Sequence, residues 1–290
     1  MIGVTRRTFR DLPSIPVDRG GRTAMRKASI IIGGCLSVCA CGQFGVRVNV
    51  RIFLEGCYVA AEVSMHDSLR AQHWLPLDEP YGALGYVHVG DGGTEHTSEG
   101  VMGITGADAI VDWVVLELRE ADANGFRVAT RSALLQRDGD VVDMDGVSGV
   151  SFNVAAGNYF FSVKHRNHLG VMTSTALSFG PDGTPLDLTL ATTPVWGVNA
   201  RKDIGGKQLL WSGDANGNGQ VKYAGSGNDR DAVLVFIGGT QPNATVSGYY
   251  RQDVNMDGTV KYTGSGNDRD RILLTVGGAT PNAVRTGQVP

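Results

Sequence analysis

The chain has 290 residues, 42% hydrophobic and 19% charged, which excludes disorder as its dominant state and gives length for one large or two ordinary domains. Its 41 glycines against 10 prolines predict many turns and a sheet-rich body, and a mean hydropathy of -0.07 excludes a polytopic membrane protein. The formal charge of -3 is unevenly spread, because Arg6, Arg7, Arg10, Arg19, Arg22, Arg26 and Lys27 meet only Asp11 and Asp18; the rest is more acidic and has no general attraction for nucleic acid or anionic lipid.

Residues 28–42 carry no charge and follow Met25-Arg26-Lys27, the basic-then-apolar order of a secretory signal. Small residues at Ala40 and Gly42 predict cleavage after Gly42. Residues 1–42 then read as an N-terminal extension and signal peptide, the protein as secreted or held at the outer cell surface, and the mature chain as lacking a stable membrane span. A buried strand, a retained anchor or lipid-modified Cys41 are the alternatives, and Met25 is an alternative start. Cys35, Cys39 and Cys41 leave with this segment, so only Cys57 remains, a small apolar residue outside any disulfide framework.

Residues 43–200 read as a β-sandwich domain. Val46 to Leu54 alternates cleanly, Ile110 to Leu118 in part, and Phe126 to Leu135 and Asn158 to His165 continue the pattern. Turns fall at Asn124-Gly125, Asp138-Gly139, Asp145-Gly146, Ala156-Gly157 and Pro181-Asp182-Gly183. Asp67 to Gln72 predicts a short helix, and residues 56–106, rich in glycine loops, support no assigned strands. The expectation is a mainly β fold, an antiparallel, immunoglobulin-like β-sandwich.

Three constellations in this body bear on chemistry. Asp138, Asp140, Asp143 and Asp145 offer either a further cation site or a strand between two Asp-Gly turns. Lys164-His165-Arg166-Asn167-His168 ends an apolar strand, where it serves as a sugar- or anion-contacting loop, a zinc pair or a hydrogen-bonded turn. His66, His73, His88 and His96, with Glu95 and Glu99, read as solvated surface. No nucleophile elbow, phosphate loop, dinucleotide fingerprint or HExxH helix is present, and Ser132 and Ser148 have no local activating partner.

Residues 201–290 are an internal repeat. Asp214 to Leu234 reads DANGNGQVKYAGSGNDRDAVL and Asp253 to Leu273 reads DVNMDGTVKYTGSGNDRDRIL, with flanking Gly238-Gly239 and Gly277-Gly278 in the same register. Each unit opens with Asp-x-Asn-x-(Asn/Asp)-Gly, which sets side-chain oxygens at alternate positions around a tight turn, as a calcium loop does. The expected ligands are Asp214, Asn216, Asn218 and Gln220 in loop one and Asp253, Asn255, Asp257 and Thr259 in loop two, the seventh position through its backbone carbonyl. Gly225 and Gly264 occupy the usual twelfth position and carry no oxygen. The closing acid is therefore Asp231 and Asp270, expected at the N-cap of the following helix, or Asp229 and Asp268. Val221 and Val260 are expected to tie the loops together through a short strand contact, and Asn218 in place of Asp257 makes loop one the weaker of two Ca2+ sites.

Duplicated loops each followed by one helix resemble dockerin-type calcium modules. The KYTGSGNDRD variant resembles one at the C-termini of secreted, haemagglutinin-like surface proteins of Bacteroidota. The motif covers about residues 211–278, and RIFLEG, LPLDEPY, AIVDWVVLELR and GNYFFSVKHRNHLGVM are similar to segments of those proteins. The resemblance implies export, calcium and a surface or extracellular role. Together these readings predict a non-enzymatic protein with calcium-stabilised dockerin-like repeats that binds a carbohydrate or protein ligand. The alternative is an accessory or catalytic component of polysaccharide degradation, tethered through the repeats.

Overall fold

The alternation of Val46, Val48 and Val50 with polar neighbours produces β1 (Val46–Arg51), whose valines are buried and whose alternate side chains face outward. The computed structural model describes residues 45–122 and 125–289; the expected signal segment and its three cysteines lie outside them. A two-residue pair, β2 (Tyr58–Val59) with β3 (Ser64–Met65), and two single-turn helices, α1 (Ser68–Ala71) and α2 (Glu99–Met102), precede the long hairpin of β4 (Ile110–Glu120) and β5 (Arg127–Gln136). Then come β6 (Asp140–Val142), β7 (Val150–Phe152), β8 (Gly157–Lys164), β9 (Val171–Met172), β10 (Leu177–Phe179), β11 (Thr184–Asp187) and a hairpin of β12 (Arg201–Ile204) and β13 (Lys207–Leu210). The repeats contribute β14 (Gln220–Lys222), α3 (Asp229–Phe236), β15 (Thr245–Ser247), β16 (Thr259–Lys261), α4 (Asp268–Thr275) and β17 (Val284–Thr286).

The fold is mainly β, built on a large antiparallel sheet. Its nine strands form one ladder in the order β10-β8-β4-β5-β6-β1-β11, with β7 also on β1 and β9 on β8; only β1 and β11 run parallel. Two facing sheets were expected. A single curled sheet results because β10 and β11 stand at opposite ends of the ladder yet are joined only by residues 180–183, too short a connector to cross a flat sheet of this width. Register breaks between Ile110 and Asp112 and between Leu118 and Arg119 mark where β4 bends against β5.

β4 is buried along both faces, which is why its sequence alternates only in part. Val114, Leu116 and Leu118 point into the curl with Ala133, Leu135, Phe161 and Phe179. Trp113 and Val115 point outward and are covered by Tyr81, Met102 and their neighbours. Residues 74–104 therefore form an irregular blanket over the sheet. It is fixed by polar anchors: Trp113 donates from Nε1 to the Pro76 carbonyl at 2.9 Å, and the Tyr81 hydroxyl donates to the Trp113 carbonyl at 2.7 Å.

This blanket corrects part of the surface reading. Glu95 is 6% exposed and takes hydrogen bonds from the Arg131 guanidinium and the Ser132 amide, and His88 is enclosed by Tyr86, Thr130 and Glu79. His73, His96 and Glu99 are exposed. Cys57 is buried, and burial pushes its thiol up. Among the described residues no helix is long and apolar enough to cross a membrane.

The described residues form one compact unit, and the repeats are fastened to the sheet by buried polar groups. Glu55, wholly buried, binds the Lys202 ammonium at 2.5 Å, the Ser212 amide and the Arg271 guanidinium of α4. Asp112 of β4 accepts from the Tyr249 hydroxyl at 2.6 Å and pairs with Arg166 at 3.0 Å. Burial opposes its charge, but the Arg166 guanidinium and the bonds from His165 and Tyr249 hold its carboxyl down at about 2. The segment expected to be a binding loop or a turn is thus a buried hub: His165, Arg166, Asn167 and His168 are all at most 7% exposed. His168 Nε2 accepts the Gly56 amide at 2.9 Å, so its proton sits on Nδ1, facing His165 Nδ1 and Asn167 Oδ1. His165 in turn places Nε2 against Asp112. Burial lowers both imidazoles, for His165 against the opposing pull of Asp112, and so favours the neutral rings.

Candidate metal centre

Each repeat begins with a loop closed on itself by Asx hydrogen bonds. In loop one the Asp214 carboxylate accepts from the amides of Asn218 at 3.0 Å and Gly219 at 2.9 Å, Asn216 Oδ1 also accepts from Asn218, and Asn218 Oδ1 accepts from Gln220. Loop two repeats this: Asp253 takes the amides of Asp257 and Gly258, Asn255 takes that of Asp257, and Asp257 takes that of Thr259. The sixth-position glycines, Gly219 and Gly258, have φ of 79° and 87°, a backbone that a side chain would strain.

The inserted GSGND segment brings an acid back to the loop. Asn228 and Asn267 are the helix N-caps, each accepting at 2.8 Å from the amide three residues on. Asp229 and Asp268 are the first helical residues, wholly buried, with carboxylates turned back onto the loop. Asp229 accepts from Asn216 at 3.2 Å and Lys222 at 2.8 Å; Asp268 accepts from Val254, Asn255 and Lys261. Asp231 and Asp270, expected at the caps, instead stand in the first turn with side chains about half exposed, bonded to the cap asparagines and to Arg230 and Arg269. The structure therefore brings Asp229 and Asp268, and not Asp231 and Asp270, to the loops.

The electrostatics of these four carboxylates are unusual. Asp214, Asp229, Asp253 and Asp268 are each at most 6% exposed, and among the described residues none forms an ion pair with lysine, arginine or histidine. Burial raises Asp214, and burial with the neighbouring Asp214 charge brings Asp229 up to about 7. Burial raises Asp253 to about 6 against the pull of Arg166, and burial with the Asp253 charge drives Asp268 well above the carboxylate range. Two buried carboxylates in one oxygen-rich turn are of the chemistry a hard divalent cation takes, and each carboxylate oxygen keeps lone pairs beyond those given to the amides. The residues present fit such an ion: Asp214, Asn216, Asn218, Asp229 and the Gln220 carbonyl in loop one, and Asp253, Asn255, Asp257, Asp268 and the Thr259 carbonyl in loop two. Among the described residues, the loops included, no group of three or more His, Cys, Asp or Glu is set to hold a metal, so each loop's donor set counts asparagine and carbonyl oxygens beside its carboxylates, and the outer oxygen of Asp257 is paired with Lys261 at 3.2 Å.

Beneath the loops lies a duplicated core: Ala215 with Val254, Val221 with Val260, Val233 with Ile272 and Ile237 with Val276. Val221 and Val260 were expected to join the loops directly. Instead β14 pairs with β17, and β16 pairs with β15, in matching registers. Each loop strand is closed by the tail strand of the other repeat, because the apolar helices between them bring each tail across the pseudo-twofold.

Sequence reasoning missed what joins loops to sheet. The Asn167 carbonyl accepts from the Asp214 amide at 3.1 Å, while its side-chain amide donates to the carbonyls of Asp253 at 2.7 Å and Arg251 at 3.0 Å. One buried residue thus touches the first position of both loops, and a polar residue beside two histidines was the only local signal of it. The aspartates at 138–145 have separate partners: Asp138 and Asp140 pair with Arg51, Asp143 with Arg131, and Asp145 caps Val147 and Ser148. No family model, curated protein or solved structure matches the chain.

Proposed function

We propose that this protein is an exported, non-enzymatic surface or extracellular module in which two dockerin-like calcium loops brace a β body that binds or displays. The observation that carries the reading is the pair of buried carboxylates in each loop without an ion-pairing side chain. Left uncompensated, such charges destabilise the fold; a bound Ca2+ converts them into ligands and couples metal binding to folding. Export rests on the basic and apolar segment before Gln43, and extracellular calcium concentrations suit loops of this class. The ions act structurally: loop two is packed onto the sheet through Met256 and Asn167, so loading it stiffens the body as well as the repeats.

Calorimetric titration of calcium into the full chain tests this. Two binding events are expected, one lost in Asp229→Asn and the other in Asp268→Asn, with Asp231→Asn retaining both. A titration without heat, together with a melting temperature unmoved by chelator, would overturn the reading. Incubation with a panel of neutral and acidic polysaccharides is expected to give no turnover, and steady product release would replace the binding role with an enzymatic one.

A further inference from the structure

A cleft of about 550 Å³ opens where the sheet meets loop one, walled by Tyr86, Lys164 and Arg166 on one side and by Asn218, Gln220 and Arg251 on the other. Three of these six side chains are cationic. The one acid in its lining, Asp214, has both carboxylate oxygens turned onto loop amides. Lys164 stands at the rim, 36% exposed, held there by Glu117 at 3.4 Å and by the face of Tyr86, whose hydroxyl is tied to the same carboxylate at 2.6 Å. Arg251 reaches over Gly217, where a Cβ would meet its Nη1, and so leans on the loop wall. Arg166 is buried to the last atom of its side chain. It spends Nε on Asp112 and Nη1 on the Tyr250 carbonyl, yet its Nη2 finds no hydrogen-bond partner among the described residues. Its guanidinium is closed off from solvent, so the positive charge a ligand in the cleft can reach is that of Lys164 and Arg251.

We infer that this cleft is a binding site for a small carboxylate- or sulfate-bearing ligand, with Lys164 and Arg251 gripping the anionic group and Asn218 and Gln220 meeting its neutral polar groups. The volume suits a ligand of one or two sugar rings. Because loop one forms a wall, the inference rests on the calcium reading for the shape of that wall, but its charges belong to residues outside the ion's donor set.

The test is titration of sodium sulfate, glucuronate and glucose into the calcium-saturated full chain at low ionic strength, followed by nuclear magnetic resonance. Saturable shifts with sulfate and glucuronate, and none with glucose, are expected. Glucuronate binding about tenfold tighter than sulfate would identify an acidic saccharide as the source of the anion, and equal affinities a free anion; both support the site. Lys164→Ala and Arg251→Gln are each expected to weaken binding about tenfold. A calcium titration of Lys164→Ala is expected to be unchanged, and Lys207→Ala on the far hairpin serves as the neutral control. Calcium binding without saturable anion binding would overturn the site and leave the calcium reading intact. So would equal response to glucose, or variants that bind within twofold of the parent.

Discussion

The two repeats are near copies in sequence and differ in what surrounds them. Loop one, with Gly217 and Asn218 exposed, faces the cleft; loop two is built into the sheet. Where loop one has Gly217, loop two has Met256, which holds a left-handed backbone at φ 62° and is 1% exposed within the main core. Gln72 of the body adds a bond to the Asp257 carbonyl at 2.8 Å. The two turns share one hydrogen-bond scheme, and Met256 at the fourth position makes one of them a structural anchor. The other stays at the surface.

Removing the closing acids should break the equivalence most strongly. Asp268→Asn is expected to abolish calcium in loop two and lower the melting temperature by about 10 °C, since an ion at a thousand times its Kd stabilises by ~4 kcal/mol. Asp229→Asn should lose loop one with about half that drop. Scanning calorimetry with and without calcium checks both.

Acidity gives a comparable effect. In chelator, Asp229 keeps a proton up to about pH 7 when folded and releases it near pH 4 when unfolded. The folded state then binds more protons, so stability falls as pH rises from about 4 through about 7, by roughly 4 kcal/mol from this group alone. Saturating calcium should flatten that slope, as urea melts at intervals of half a pH unit would show.

Exchanging the fourth positions sharpens the comparison. Met256→Gly empties a core site at a cost of about 2–4 kcal/mol, softened by the relief of a left-handed backbone, and should leave the calcium affinity of loop one unchanged. Asn167→Ala is expected to cost about 2 kcal/mol and to weaken loop two, because it removes the side-chain donor to the Asp253 and Arg251 carbonyls while the backbone carbonyl that accepts from the Asp214 amide of loop one stays in place. The smallest effect is Asn218→Asp, which should raise the affinity of loop one severalfold and bring it towards loop two. Parallel calcium titrations of the three variants separate these outcomes.

Local spacing made the loops legible. Oxygens at positions one, three and five and a glycine at six lie within a few residues of each other and recur in a near copy, so their geometry follows from the chain itself. The closing acid was open between two aspartates. Asn228-Asp229-Arg230-Asp231 contains the deciding signal, a cap residue followed three places later by an acid, which sets Asp229 at the first helical position and turns it inward. The curl of the sheet was not legible, because it depends on which strand ends meet across the whole body. Nor was the burial of Glu55, Asp112, Asn167 and Arg166, whose partners lie up to 220 residues away and carry no sequence period. His88 and Glu95 read as surface for the same reason: the blanket that encloses them has no regular structure beyond the single turn of α2.

The exchanged strand pairing also imposes an order on folding. β15 and β16 are separated by one short segment, so the ladder of loop two closes early, at small loop entropy. β14 must wait for β17, which follows the entire second repeat in the chain. As a chain emerges from its N-terminal side, the surface loop, though it comes first in sequence, is completed last. Its wall of the cleft takes shape only after the anchored loop has been laid against the sheet.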